Sequence, residues 1–298
     1  MAVSISIIIC TRNRAANLRL TLESVSKSVI PLGWEVELLV VDNGSSDSTK
    51  DLALSTHMPN MPVRYLSEPR TGKGYAYNSG MAAARGDIFL FTDDDVRVPT
   101  DWIEGMGRPI LEGRAHAVQG GIKVAPHLER PWLTGALRVW VASVEDPVRA
   151  PEGLVGANMA FGRQALAITG GFDLRLGPGA SGYFDDTVFG WALERAGQKI
   201  LYQPAVTVEH HFAADRLTLR SYLSAARRMA ASRALVIQMR EGSVARPSFF
   251  SLLKQMPGFV VRVITQAFVF AKDRRPDAGF VLRYYQIKLW SELRKNST

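Results

Sequence analysis

Residues 84–95 read ARGDIFLFTDDD, an apolar run at 88–92 that stops abruptly on Asp93, Asp94 and Asp95. A short, continuous apolar run of this kind predicts a strand buried on both faces. Pro99 follows, and residues 101–112 predict a helix. The segment is a strand, an acid cluster and a helix in succession. Adjacent carboxylates at a strand end repel one another unless a cation or solvent offsets their charge, so a bound metal is the economical explanation. Carboxylate ligands favour Mg²⁺ or Mn²⁺, ions that also bind substrate phosphates.

Toward the N-terminus, residues 3–10, 35–41 and 63–66 predict three further strands. Leu18, Leu22, Val25 and Val29 recur at helical spacing until Pro31 and Gly33 stop the pattern. Residues 47–55, with Ser45 or Ser46 as cap, and residues 75–84 predict two more helices. This alternation predicts an α/β fold with a mostly parallel central sheet flanked by helices. Further along, residues 118–124, 156–161 and 206–210 predict strands, and 187–196 a helix preceded by the Gly-rich LGPGASGY at 176–183. From Leu217 the pattern is helical over about 217–240, 249–272 and 279–294, broken by Pro247, Pro257 and Pro276. The expected division is a front domain at 1–212, with halves 1–100 and 101–212, and a C-terminal helical segment at 213–298.

With 298 residues, 47% hydrophobic and 21% charged, the composition excludes disordered and collagen-like classes. Cys10 is the single cysteine, so no internal disulfide forms and a reducing compartment fits. No basic segment precedes the first apolar stretch, which is too short for a signal peptide or a membrane span, so a cytoplasmic location is expected. The net charge of +8 is unevenly placed: residues 1–212 hold 20 Lys/Arg against 23 Asp/Glu, and residues 213–298 hold 16 against 5. In the rear segment these cations interleave with large apolar residues, as in an amphipathic surface helix. Residues 249–270 look superficially like a membrane span, but Lys254, Gln255, Pro257, Arg262 and Gln266 interrupt them. The expectation is a helix lying on an anionic bilayer, at the cytoplasmic face of the inner membrane, or one packed on the front domain. Nucleic acid is not expected, because no recognition module accompanies the charge.

In an open α/β sheet, ligands bind beyond the carboxyl ends of the strands. Three polar clusters fall there, at residues 11–14, 42–47 and 93–95. The first also reads as a helix cap and the second as a turn.

Eight segments occur in order: TRNR (11–14), VVDNGSSD (40–47), GKGYAYNSG (72–80), ARGDIFLFTDDD (84–95), GANMAF (156–161), GGFD (170–173), FDDTVFGWALERAG (184–197) and VEHH (208–211). Together they resemble the family 2 glycosyltransferases, inverting enzymes of the GT-A fold that use nucleotide sugars. The resemblance implies that Asp42 accepts a hydrogen bond from the base, while Thr11, Arg14 and Asn43 line the base and ribose pocket. Arg70, Lys73 and Asn78 belong to the donor side, and Asp93 lies near the ribose. The metal ligands are Asp94, with Asp95 as competitor, and His210, with His211 as a second claimant. Asp186 is the general base. Asn158, Asp185 and Trp191 fall on the acceptor side, although Trp191 also reads as core.

Two departures stand out. The acidic pair is Asp185-Asp186 where Glu-Asp is more usual, and Tyr77 occupies a position where many members have Arg. The implied partners are a nucleotide sugar, UDP by default, and a hydroxyl acceptor on a glycan or lipid carrier, as in polysaccharide or glycolipid synthesis. A nucleotidyltransferase would carry a Gly-rich basic signature near the N-terminus, which TRNRAANL lacks. A non-catalytic nucleotide-sugar-binding protein on the same fold would have no need of both the Asp cluster and Asp186.

Overall fold

The computed structural model describes residues 3–146, 150–241, 256–273 and 275–295. The chain divides into two compact units, the first comprising Met1–His127, Ala142–Ala180 and Asp185–His211. The second comprises Leu128–Val141, Ser181–Phe184 and Phe212–Thr298. The rear unit thus takes two short pieces, 128–141 and 181–184, from the stretch read as front domain.

The first unit is built on an eight-stranded sheet in the order β3-β2-β1-β4-β7-β6-β8-β5. Its strands are β1 (Val3–Thr11), β2 (Trp34–Asp42), β3 (Val63–Ser67), β4 (Ile88–Asp93), β5 (Val96–Arg97), β6 (Ala117–Val124), β7 (Asn158–Gly162) and β8 (Ile200–His210). Pairings β1/β2, β2/β3, β1/β4 and β6/β8 are parallel, and β7 runs antiparallel between β4 and β6. The chain winds outward from β1 to β3 and returns on the other side of β1 as β4. That reversal opens a crevice at the carboxyl ends of β1 and β4, where such sheets bind ligands. Register completes the placement: Thr11 pairs with Asp42, and Cys10 with Asp93.

Both faces of the sheet are covered, which explains the apolar run Ile7–Cys10 of β1. Ile5, Ile7 and Ile9 face one cluster, with Leu18, Leu22 and Val25 of α1 (Ala15–Val25) and Trp102, Ile103 and Met106 of α4 (Trp102–Leu111). Ala53 of α2 (Thr49–Ser55) joins them. Ile8 and Cys10 face the other, with Tyr77 and Met81 of α3 (Lys73–Ala83) and Phe189 and Leu193 of α7 (Asp185–Arg195). The short α6 (Ala165–Thr169) precedes α7 in this unit, and the short α5 (Gly135–Arg138) belongs to the second. Each fully buried Leu or Ile contributes on the order of 1.5–3 kcal/mol, so the strand ends carrying the acids rest on a rigid platform.

In β8 the sheet departs from a simple reading. Its register against β6 shifts between Gly120, opposite Gln203, and Gly121, opposite Thr207. Asn158 fills the irregularity, its Nδ2 donating to Gly121 O at 2.8 Å and Val206 O at 2.9 Å. The strand starts six residues before the expected 206–210, because the bulge interrupts the apolar alternation.

In the second unit, α8 (Leu219–Glu241), α9 (Met256–Asp273) and α10 (Ala278–Lys295) are helical. Pro257 was expected to break a helix over 249–272. It is the second described residue of α9. Residues 249–255 and Pro247 lie outside the described residues. No described helix is long and apolar enough to cross a membrane.

Candidate active site

The three acids after β4 diverge, each to its own partners. Asp93 Oδ1 accepts from Lys73 Nζ at 2.6 Å, and the Tyr77 hydroxyl lies 3.5 Å from the same oxygen. Asp94 is buried, with Oδ2 accepting from Thr11 Oγ1 at 2.7 Å and Oδ1 from Arg14 Nη1 at 2.8 Å. Asp95, 2% exposed, takes the same guanidinium at 2.8 Å and has His210 Nε2 3.4 Å from its Oδ1. Backbone bonds hold that last pair: His210 sits opposite Val96, and His211 N donates to Asp95 O at 2.7 Å.

The electrostatics follow the partners. Burial pushes Asp94 up to about 6, against the opposing pull of Arg14 and with a further push from Asp95. Burial also opposes ionisation of Asp95, yet His210 and Arg14 together hold its carboxyl well below the usual carboxylate range. Burial works against a charged Lys73 too, but Asp93 raises its ammonium well above the ordinary value.

Three carboxylates therefore share two permanent cations, Arg14 and Lys73, which leaves room for further positive charge. Both oxygens of Asp94 are engaged by Thr11 and Arg14, and those of Asp95 face Arg14 and His210, so of the two acids only Asp95 lies beside an imidazole. Among the described residues no group of three or more His, Cys, Asp or Glu side chains is placed to hold an ion. A two-donor set of carboxylate and imidazole suits a divalent ion that completes its shell with water and phosphate oxygens. His211 is directed elsewhere: its Nε2 lies 3.3 Å from Glu209 Oε2 and its ring beside His127.

The loops beyond β1 and β2 are tied together. Asn13, at φ 54°, accepts from Ser46 N at 2.7 Å, and its own N donates to Ser45 Oγ at 2.8 Å. Asp47 accepts from Ala15 N at 3.0 Å and from Thr49 N at 3.1 Å, serving the first turns of α1 and α2. It does the work expected of Ser45 or Ser46. Asp42 is buried, with Oδ1 accepting from Ser45 N and Oδ2 from the Tyr65 hydroxyl.

The two asparagines expected on the donor side hydrogen-bond to the backbone. Asn43 donates to Glu68 O and Arg70 O and accepts from Gly72 N, shaping the 68–72 loop. Asn78 exchanges both its amide groups with Phe172, at 3.0 and 2.8 Å. Arg70 is exposed, forked onto Glu68 and lying over the Tyr75 ring. Glu68 went unnoticed in the sequence. Its carboxylate takes Arg70 and Ser79, and Arg70 above all, with help from Ser79, lowers its pKa to about 2.

The second acidic pair opens α7. Asp186 accepts from Gly156 N at 2.8 Å and Thr187 N at 2.7 Å. Gly156 sits where three functional side chains converge. A Cβ there would lie 2.8 Å from Tyr77 Oη, 3.4 Å from Lys73 Nζ and 3.5 Å from Asp186 Oδ2. Lys73, paired with Asp93 at the end of β4, thus shares this crevice with Asp186 at the start of α7.

Asp185 is buried against Gly177, whose φ of +78° and lack of a side chain admit the carboxyl; a Cβ would lie 2.5 Å from Asp185 Cγ. Burial first, and then the charge of Asp186, push Asp185 up to about 7. Burial also raises Asp186, against the two backbone donors and Lys73. The loop bearing Gly177 touches the donor side as well, since Lys73 N donates to Pro178 O at 2.8 Å.

Of the residues placed on the acceptor side, Asn158 is fully buried and spent. Besides its two carbonyl contacts, its Oδ1 accepts from Trp102 Nε1 at 2.9 Å. It braces β8, the strand that ends on His210. Trp191 is half-buried on α7.

Comparison with known proteins agrees with this geometry. Residues 6–147 match the family model for glycosyl transferase family 2. The glycosyltransferase AglE of Haloferax volcanii is 33% identical over 119 residues, covering 39% of this chain and 38% of that one. The glucosyl-3-phosphoglycerate synthase of Mycobacterium tuberculosis is 36% identical over 114 residues, covering 33% and 32%. The chain thus spans between a third and two-fifths of the length of these relatives.

Among solved structures, the mannosyltransferase PcManGT from Pyrobaculum calidifontis, in complex with GDP-Man and Mn²⁺, superposes with a TM-score of 0.66 at 19% identity. The match covers 98% of this chain and 88% of that one. S. aureus TarS 1–349 in complex with UDP-GlcNAc superposes with a TM-score of 0.55 at 17% identity, covering 98% and 89%. The fold is the GT-A glycosyltransferase fold. Residues 6–147, just under half of the chain, carry the family 2 glycosyltransferase match.

Proposed function

We propose that this protein transfers a sugar from a nucleotide diphosphate to a hydroxyl acceptor by direct displacement with inversion. The observation that carries the reading is the convergence of Lys73, Tyr77 and Asp186 on Gly156, which brings the acid run after β4 and the acid pair of α7 into one crevice. The acceptor oxygen bonds to the anomeric carbon as the bond from that carbon to the diphosphate oxygen breaks. The acceptor proton passes to Asp186, and the nucleoside diphosphate leaves with the bonding electrons.

Lys73 lies where positive charge stabilises the departing diphosphate, and Arg14 keeps Asp94 and Asp95 in place. Asp95 and His210 are the residues to hold Mg²⁺ or Mn²⁺, which when bound offsets negative charge on the leaving group. Asp42 and Thr11 form the floor of the nucleoside pocket. The acceptor is a hydroxyl of a glycan or of a lipid-linked carrier, and UDP- and GDP-sugars are the donors to try first, given the ligands of the structural neighbours.

The test is a transfer assay with a panel of nucleotide sugars and simple glycoside acceptors in Mn²⁺, followed by NMR of the product. The expected product has the anomeric configuration opposite to the donor, and Asp186→Ala forms none. A product of retained configuration would overturn the displacement scheme.

A further inference from the structure

Helix α9 carries an apolar face that no described residue covers. Val260, Val263 and Ile264 are 52%, 42% and 65% exposed. With Ala267, also exposed, they recur at i, i+3, i+4 and i+7, a single helical stripe. Val261 widens it. A contiguous exposed apolar stripe marks a surface that meets a partner or a membrane.

The helix is tethered through its other side. Buried Gln266 donates to Arg275 O at 2.9 Å and accepts from Asp277 N at 2.6 Å, and Arg262 reaches Asp277 at 3.8 Å. These bonds fix α9 to the start of α10 and leave the Val260–Ile264 stripe outward.

Charge selects the occupant. Residues 256–295 hold eight Lys/Arg against three Asp/Glu, and no acid falls between Pro257 and Lys272. A second copy meeting this face symmetrically would set like charge against like charge. The chain's own segment 242–255 carries Arg246 and Lys254 and no acid, so it adds charge of the same sign. An anionic lipid surface supplies both an apolar layer and opposite charge.

We propose that α9 lies in the interface of an anionic bilayer, burying Val260, Val263, Ile264 and Ala267 while the surrounding Arg and Lys side chains meet the headgroups. This inference does not rest on the sugar-transfer reading, and its test reads no activity.

Flotation of the full chain with phosphatidylglycerol/phosphatidylcholine vesicles at low salt is expected to carry protein to the top of the gradient. Vesicles of phosphatidylcholine alone leave it at the bottom. Val260→Asp combined with Ile264→Asp is expected to cut the bound fraction at least about tenfold, since it removes two buried apolar groups and adds repulsion. An Ile264→Cys variant carrying an environment-sensitive fluorophore guards against loss of fold in the double variant, because Cys10 is buried and escapes the label. Its emission is expected to shift to the blue with anionic vesicles only. Any of four results would overturn the proposal: no flotation of the wild type with anionic vesicles, equal flotation with neutral ones, unchanged flotation of a folded double variant, or no spectral shift. Dissociation of a stable dimer by the two Asp substitutions would assign the stripe to a second copy instead.

Discussion

Two runs of adjacent aspartates, 93–95 after β4 and 185–186 at the start of α7, differ in what surrounds them. The first is laced with cations: Lys73 meets Asp93, and Arg14 bridges Asp94 and Asp95. The second forms no ion pair among the described residues and relies on backbone N–H groups, with Lys73 nearby. The consequence is opposite chemistry from the same side chain. His210 and Arg14 hold Asp95 ionised, whereas burial pushes Asp94 up to about 6 and Asp185, with the charge of Asp186 beside it, up to about 7.

The sharpest way to break this contrast is to remove the proton acceptor. Asp186→Ala is expected to lower the transfer rate on the order of 10³-fold, within the range for loss of a general base, while donor affinity stays within about twofold. Steady-state kinetics and a donor titration of the same sample check it. A parallel loss of rate and affinity would mean that the two runs are one binding site.

Next in size is the link between the runs. Lys73→Met removes the ammonium shared by Asp93 and the α7 pair, and is expected to weaken diphosphate binding roughly 10- to 100-fold. It is also expected to raise the pH at which activity appears, because Lys73 opposes the burial that raises both α7 acids. Competitive inhibition by UDP or GDP across pH measures both effects.

The acid pair makes a pH prediction with opposite signs for rate and stability. Transfer needs an ionised base, and burial raises Asp186, so kcat is expected to rise with pH above the ordinary carboxylate range. An Asp ionises near 4 in the unfolded chain, so between about 4 and 7 the folded state holds the extra proton. This contribution to stability is fully present below about 4 and is lost as pH rises through about 7. Asp185→Asn is expected to flatten the stability slope, read from thermal melts at several pH values, while transfer survives.

A smaller effect is expected at Asn158, which supports β8 without touching the crevice. Asn158→Ala orphans the Trp102 N–H and the carbonyls of Gly121 and Val206, a cost of about 1–3 kcal/mol. A lower Tm with only a few-fold change in donor affinity would separate support from ligand contact.

β1, β2 and β4 were legible because burial on both sheet faces leaves apolar runs at Ile7–Cys10, Leu38–Val41 and Ile88–Phe91, and the polar clusters then mark the strand ends. Asp186 and His210 were legible as candidates through their neighbours in the eight ordered segments. The contacts of Asn43, Asn78 and Asn158 were not, because the destination of a side-chain amide depends on which carbonyls the fold leaves unpaired, as at the bulge between Gly121 and Val206. Three identical acids in a row hide their own register: only the partners, Thr11 for Asp94 and His210 for Asp95, tell them apart.

The most direct test of the account is calorimetric titration of UDP and GDP, with and without Mn²⁺, into the wild type, Asp95→Ala and Asp186→Ala. Binding to at least one nucleotide is expected to require Mn²⁺, to fall away in Asp95→Ala and to persist in Asp186→Ala. Binding lost in Asp186→Ala but intact in Asp95→Ala would contradict the division of labour between the two runs.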